Sequence, residues 1–178
     1  MSTKDLWTRR QLFQHGITAG FALAVAPATA KVITTPSKGL VNDTVSIPCG
    51  NESMPGYWAM PEGKGPFPVI VVIQEIFGVH AYIQDICRRL AKEGYVAIAP
   101  YLYFRHGDVT KMKDIQQIIS EVVSKVPQKQ VWEDLDSTMK WLDKNPKADT
   151  SRTAITGFCW GGNVVWMYAA HNPKLRAG

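Results

Sequence analysis

Three short apolar stretches have the pattern of strands that are buried on both faces. Residues 68–73 form an unbroken apolar run, rich in β-branched side chains, and residues 95–99 form a second one. A third β-prone stretch, residues 153–158, leads directly into a turn with several glycines. Apolar runs without polar alternation are typical of parallel strands whose two faces are covered by helices. The three stretches therefore predict the central strands of a parallel sheet.

Apolar positions recur at helical spacing between and after these stretches. The pattern predicts a helix over residues 82–92, and Gly94 stands where a helix C-cap is expected. The same spacing predicts helices over residues 112–126, 131–144 and 164–170, of which the first is stopped by Pro127. Alternating strands and helices predict an α/β fold with a mostly parallel sheet and flanking helices.

Residues 32–60 have a different pattern. Three prolines and three glycines interrupt them, with short β-prone pieces at residues 41–47 and 56–60. Short strands bounded by such residues are typical of hairpins and sheet edges. We therefore expect an antiparallel hairpin or edge to precede the parallel strands.

The first 30 residues form a separate unit. They begin with polar residues that include Arg9 and Arg10, continue with an apolar run over residues 17–25, and end at Ala28-Thr-Ala30. This order is that of a signal peptide, and the run is too short and too interrupted for a membrane span. The arginine pair followed by Leu-Phe resembles the twin-arginine type, whose passengers fold before export. We expect residues 1–30 to be the signal, and residues 31–178 to be a periplasmic domain delivered by the twin-arginine export machinery.

Composition narrows the function class. The chain has 178 residues, of which 46% are hydrophobic and 20% charged, as in ordinary globular proteins and unlike disordered, collagen-like or coiled-coil chains. Residues 31–178 hold 17 basic and 14 acidic residues, scattered along the chain. Such a small excess provides no nucleic-acid-binding patch. Three cysteines are too few, and odd in number, for a disulfide framework.

The turn after the third predicted strand contains a candidate catalytic nucleophile. It reads Gly157-Phe-Cys159-Trp160-Gly161-Gly162, which is the G-x-S-x-G nucleophile elbow with a cysteine in place of the serine. Gly157 and Gly161 are required because this tight turn leaves no room for a Cβ two positions before or after the nucleophile. A helix that starts here favours the thiolate of Cys159, and the Trp160 N–H would face an acyl oxygen.

The glycine turn and the cysteines also allow other interpretations. A phosphate-binding loop is disfavoured because neither a Lys-Ser/Thr pair nor G-x-G-x-x-G is present. A buried structural role for Cys159 stays open as an alternative. Cys87 lies on the apolar face of a predicted helix and is expected in the core, while the surroundings of Cys49 indicate nothing.

Three motifs in order carry a family resemblance. They are Gln74-Glu-Ile-Phe-Gly78, Pro100-Tyr-Leu-Tyr-Phe-Arg105 and Gly157-Phe-Cys-Trp-Gly-Gly162. Together, over residues 40–178, they resemble the dienelactone hydrolases, or carboxymethylenebutenolidases, and among these the exported members. The resemblance implies an α/β-hydrolase fold and a hydrolase that opens lactones or cleaves esters, with no metal or organic cofactor.

The resemblance also implies roles for individual residues. Cys159 matches the nucleophile, and Glu75 matches a glutamate that contacts the thiol and helps to deprotonate it. The backbone N–H of Ile76 would join that of Trp160 in the oxyanion hole, and Arg105 would pair with a carboxylate of the small-molecule substrate. Glu75 follows an apolar strand, at the sheet edge where α/β folds bind ligands. Ordinary surface roles for Glu75 and Arg105 are the competing interpretations.

The catalytic triad is incomplete in this sequence. The α/β-hydrolase order is nucleophile, acid, histidine, yet residues 160–178 contain no aspartate or glutamate. His171 follows Cys159 by 12 positions, about 18 Å along a helix, which is too far for a base. His80 and His106 lie in upstream loops and would break the triad order. Without further strands, residues 153–158 would form an exposed edge. We therefore expect the N-terminal part of a longer hydrolase, or alternatively an inactive truncated remnant.

Overall fold

The computed structural model describes residues 33–178, so the predicted signal peptide at residues 1–30 lies outside the described part of the chain. The strands and longer helices follow one another as β1 Leu40–Cys49, β2 Glu52–Pro61, β3 Phe67–Ile73, α1 Ala81–Lys92, β4 Val96–Pro100, α2 Gln128–Asp143, β5 Ala148–Gly157 and α3 Trp160–His171. Across residues 33–178, no helix combines the length and the hydropathy that crossing a membrane requires.

The strands form one mixed sheet in the order β1-β2-β4-β3-β5. β1 and β2 pair as an antiparallel hairpin, and β2 also runs antiparallel to β4. β4, β3 and β5 run parallel to one another, so their carboxyl ends meet at one edge of the sheet. Both the expected hairpin and the expected parallel centre are confirmed.

The core has two layers, one on each face of the sheet. Val69 and Val71 of β3 face a cluster that includes Leu135 of α2 and Val164 of α3. Val72 faces the opposite cluster, built with α1. Because successive side chains of a strand alternate between faces, a strand covered on both sides must be apolar throughout. This explains the unbroken apolar run that predicts β3.

The helix predicted over residues 112–126 is not regular. The chain there forms a 3-10 turn at Val109–Lys111, an α-helical turn at Ile115–Gln117, a π-helical turn at Ile118–Val122 and a second 3-10 turn at Val123–Lys125. Ser120 and Ser124 donate hydrogen bonds to the carbonyls of Gln117 and Ser120. Serine bonds to preceding carbonyls, together with crowded β-branched neighbours, disfavour a regular helix. The apolar spacing alone could not reveal this.

Several element boundaries also differ from the predictions. α2 begins at Gln128, three residues before the predicted start, because Pro127 adopts the extended conformation of an N-cap and polar residues fill the first turn. β5 begins at Ala148, five residues early, through a stretch of polar residues at a bulged register with β3. α3 begins at Trp160, four residues before the predicted start, so it includes the last glycines of the turn. Polar or glycine-rich ends of elements carry no apolar pattern, so apolar spacing does not reveal their limits.

Candidate active site

Cys159 lies in the tight turn between β5 and α3, at the carboxyl edge of the sheet. Its backbone has φ 54° and ψ −116°, and among residues 33–178 it is the only non-glycine residue with positive φ. L-residues rarely adopt such a conformation, and the strain is found mainly at functional sites. The Cys159 side chain is exposed. The alternative of a buried structural cysteine is therefore wrong.

The two flanking glycines permit this turn. A Cβ on Gly157 would lie 2.6 Å from the Gly161 carbonyl oxygen, and one on Gly161 would lie 2.4 Å from the Gln74 oxygen. Both distances are far below any permitted contact with backbone. The start of α3 therefore packs directly against the end of β3, which brings Cys159 close to the loop that follows β3.

The two backbone N–H groups predicted to form the oxyanion hole have no internal acceptor within residues 33–178. The first hydrogen bonds of the turn are donated by two backbone N–H groups. Gly161 donates to the Phe158 oxygen at 2.8 Å, and Asn163 donates to the Cys159 oxygen at 3.3 Å. Within residues 33–178, neither the Trp160 N–H nor the Ile76 N–H donates to a protein atom. Unpaired N–H groups at a helix start suit a developing oxyanion. Both residues stay predictions for that role.

Glu75 follows β3 directly and contacts a histidine. Its Oε2 lies 3.0 Å from His80 Nε2, and the two side chains are 16% and 30% exposed. His80 is the N-cap residue of α1, and its Nδ1 accepts a hydrogen bond from the Tyr82 N–H at 3.3 Å. Glu75 is thus half-buried at the same edge of the sheet as Cys159, held by a neighbour whose role the sequence did not reveal.

Tyr103 is a buried tyrosine in the loop that follows β4. Burial raises the pKa of its hydroxyl, an effect offset in part by the Gln74 side chain and reinforced by the negative charges of Cys159 and Glu75. The Tyr103 ring also packs against the Trp160 ring, with centroids 4.9 Å apart. Both acidic groups therefore lie in the neighbourhood of one buried phenol. A tyrosine in an aromatic loop carries no signal that distinguishes this position from ordinary core.

A cavity of about 630 Å³ opens beside this group, between the loops that follow β3 and β4. Its walls include Val79, His80, Tyr101, Tyr103 and Val109, so the lining is largely apolar with polar groups at the margin. Cys159 is not part of the lining. Tyr103 both lines the cavity and packs against Trp160, the residue after Cys159. The cavity lies at the sheet edge where ligands bind in α/β folds.

Arg105 is paired with two protein carboxylates. One of its Nη atoms donates to both oxygens of the buried Asp134, at 2.9 and 2.8 Å, and its Nε donates to Glu52. The guanidinium also lies 4.1 Å from the centre of the Phe104 ring. The predicted partner of a substrate carboxylate is thus already occupied, and it does not line the cavity. Asp134 and Glu52 are distant from Arg105 in sequence, so no local sequence pattern indicates that they pair with it.

The other histidines lie away from the thiol. His106 Nε2 is 3.1 Å from the Gln130 side-chain oxygen, and His171 Nε2 is 3.3 Å from Asp136 Oδ2. Among residues 33–178, no histidine contacts Cys159, and no group of three His, Cys, Asp or Glu side chains could hold a metal ion. Of the two upstream histidines, His80 faces the site and His106 faces α2.

The sequence and the fold are similar to those of known proteins. Residues 54–178 match the family model described as "Dienelactone hydrolase family". A "Putative carboxymethylenebutenolidase" of Methylorubrum extorquens is 54% identical over 179 residues, covering 100% of this chain and 62% of its own length. The protein of the same name in Escherichia coli K12 is 51% identical over 160 residues, covering 89% of this chain and 59% of its own length. The chain thus spans about 60% of these curated relatives.

A solved structure extends the similarity to the fold. The crystal structure of a "Putative Dienelactone Hydrolase" from Klebsiella pneumoniae superposes with a TM-score of 0.75 at 52% identity, covering 78% of this chain and 58% of that one. The predicted α/β-hydrolase-type fold is confirmed.

Proposed function

This chain belongs to the dienelactone hydrolase family, and on that premise we propose that the Cys159 thiolate opens a lactone or cleaves an ester of a small molecule. The observation that carries the proposal is the geometry of Cys159, an exposed thiol on a strained turn at the start of α3. The positive end of the helix dipole favours the thiolate, which is the nucleophilic form of cysteine.

The reaction follows from the groups around the thiol. Glu75 takes the proton from Cys159, and the sulfur then attacks the carbonyl carbon. The N–H groups of Trp160 and Ile76 hold the resulting oxyanion. Collapse of this intermediate breaks the bond to the ring or alkoxy oxygen, which leaves with a proton, and forms a thioester. Water then attacks the thioester, releasing the carboxylic acid and returning the thiol.

Turnover of p-nitrophenyl acetate tests this proposal against the alternative of an inactive remnant. We expect the wild-type chain to hydrolyse the ester and Cys159→Ala to lose this activity. The matched control Cys87→Ala should retain it, since Cys87 is buried in the core layer between the sheet and α1. Alkylation of Cys159 without any turnover would favour the remnant, in keeping with the absence of a histidine contact to the thiol within residues 33–178.

A carboxylate on the substrate is a further part of the proposal, with Arg105 as its partner. Arg105 could exchange one of its present partners for the substrate. Asp134 is 1% exposed and holds one Nη atom through both of its oxygens, whereas Glu52 is 54% exposed. Because an exposed ion pair contributes little, a substrate carboxylate would displace Glu52 and leave Asp134 in place.

We also propose that the protein acts in the periplasm after export by the twin-arginine machinery. The support is the arrangement of residues 1–30, with the Arg9-Arg10 pair, the apolar run and the small residues before Lys31.

A further inference from the structure

We propose that His80 is a positioning residue for Glu75: its neutral imidazole holds one carboxylate oxygen and leaves the other to receive the proton of Cys159. This inference rests on the proposed function, because it assigns Glu75 the role of proton acceptor. His80 acts through Glu75 and, within residues 33–178, forms no hydrogen bond to the reacting sulfur.

The helix cap determines which nitrogen of His80 carries the proton. Nδ1 accepts the Tyr82 N–H, so this nitrogen has a free lone pair. A neutral imidazole has a single proton, which must then reside on Nε2. Nε2 lies 3.0 Å from Glu75 Oε2, the distance of a good hydrogen bond. His80 is therefore a donor to Glu75 in its neutral form, without protonation of the ring.

The imidazole is also held in orientation. The Tyr82 ring lies nearly parallel to it, with centroids 6.3 Å apart and an angle of 18°, and the Phe77 ring meets it edge-on. The His80 N–H donates to the Gly78 oxygen at 3.0 Å. Gly78 has φ 77°, and a Cβ there would lie 2.9 Å from Val109. The loop that presents the imidazole therefore has little freedom to move.

The consequence concerns the two oxygens of Glu75. Within residues 33–178, Oε2 bonds to His80, while Oε1 has no hydrogen-bond partner. Oε1 is thus available to accept a proton. In the step that His80 supports, the S–H bond of Cys159 breaks and an O–H bond forms at Oε1, while His80 keeps its Nε2 proton. The hydrogen bond fixes the carboxylate without adding a full positive charge, which would weaken Glu75 as a base.

A purely structural role for His80, as the cap of α1, is the competing explanation, and two substitutions separate the roles. Asparagine is a good N-cap but is too short to reach Glu75, so His80→Asn keeps the cap and removes the contact. Glutamine carries its amide N–H at the distance of Nε2, so His80→Gln keeps a donor to Glu75.

The experiment measures the coupling between Glu75 and the thiol. The rate of Cys159 alkylation by iodoacetamide is compared with and without Glu75→Gln, in the wild-type, His80→Asn and His80→Gln backgrounds. We expect Glu75→Gln to lower the alkylation rate by about tenfold in the wild-type and His80→Gln backgrounds, and by less than about twofold in His80→Asn. An equal factor in all three backgrounds would show that His80 is only a cap. No effect of Glu75→Gln in any background would also overturn the proposal.

A second measurement needs no substitution. Long-range 1H-15N spectra of the wild-type chain should show His80 as the neutral tautomer with its proton on Nε2, and the opposite tautomer would contradict the proposal. Alkylation does not require turnover, so loss of coupling and loss of esterase activity are separate results. If the proposed hydrolysis fails, the alkylation rates still test the role of His80. If the coupling between Glu75 and the thiol is absent, the esterase assay still tests the proposed hydrolysis.

Discussion

At the scale of single residues, burial divides the three cysteine thiols into two kinds. Cys159 is exposed, whereas Cys49 and Cys87 are buried. Burial raises the pKa of the Cys87 thiol to about 12, because the thiolate loses its hydration. Burial also raises the pKa of the Cys49 thiol above its ordinary value. Both shifts favour the protonated thiol, which is a poor nucleophile.

Selective alkylation is the first consequence. We expect iodoacetamide at about pH 8 to modify Cys159 and to leave Cys49 and Cys87 intact, since both thiols are inaccessible and protonated there. Peptide mapping by mass spectrometry checks this. The Cys159→Ala variant should remain unlabelled in the folded state, and labelling of Cys49 before unfolding would contradict the burial.

The ion pairs of Arg105 predict how substrate charge is recognised. Glu52→Gln should lower KM about two- to fivefold for an ester with a free carboxylate, because it removes the competitor for the guanidinium. Arg105→Gln should raise that KM, and neither change should matter for a neutral ester of the same shape. Glu133→Gln, which removes another exposed carboxylate paired with Lys129, is the control. Identical effects on both esters would exclude Arg105 from carboxylate binding.

At the scale of elements, the junction of β5 and α3 depends on where a Cβ can fit. The carbonyl oxygens of Ile73 and Gln74 lie against Gly161, whereas Gly162, the next residue of the same helix, has its nearest such atom at 3.6 Å. Two adjacent glycines thus have opposite surroundings. One is required by the close approach of α3 to β3, and the other is an ordinary helical position.

This contrast predicts opposite changes in the free energy of unfolding. Gly161→Ala should lower it by about 1–3 kcal/mol, because rigid backbone must move to admit the methyl group. Gly162→Ala should raise it by about 0.5–1 kcal/mol, because alanine restricts the unfolded chain without strain in the helix. Urea unfolding of the two variants measures both values. Equal destabilisation by both substitutions would refute the close packing.

The sequence was informative about elements wherever burial is periodic. The run at Phe67–Ile73 and the helical face of Ala81–Lys92 were found because each meets the core along its whole length. The apolar pattern of the sequence is uninformative over residues 115–125. There, hydrogen bonds from serine side chains to the backbone accompany a series of short turns of different pitch. Such bonds depend on the local path of the chain and leave no trace in apolar spacing.

At the scale of the whole molecule, β5 has neighbours on both sides. It pairs with β3 on one side, while on the other the chain returns after α3 and forms a parallel bridge between Ala154 and Ala177. Near this side, Trp166 of α3 is 81% exposed.

The proposed export concerns the whole chain. We expect the protein to be recovered from the periplasm, and Arg9→Lys combined with Arg10→Lys to retain it in the cytoplasm, because the export receptor recognises the arginine pair and not merely its charge. Fractionation followed by immunoblotting measures this. Lys4→Gln, which removes a charge outside the pair, should leave export unchanged, and periplasmic recovery of the double variant would refute the twin-arginine proposal.

The sequence by itself determined the order of strands and helices and the tight turn around Cys159, because apolar periodicity and the absence of side chains at Gly157 and Gly161 are local properties. Only the tertiary structure decided the partners of the polar groups. Arg105 meets Asp134 and Glu52, which lie 29 and 53 positions away, and His80 meets Glu75. A hydrogen bond needs two atoms at a defined distance and angle, and that geometry exists only after the loops have packed onto the sheet.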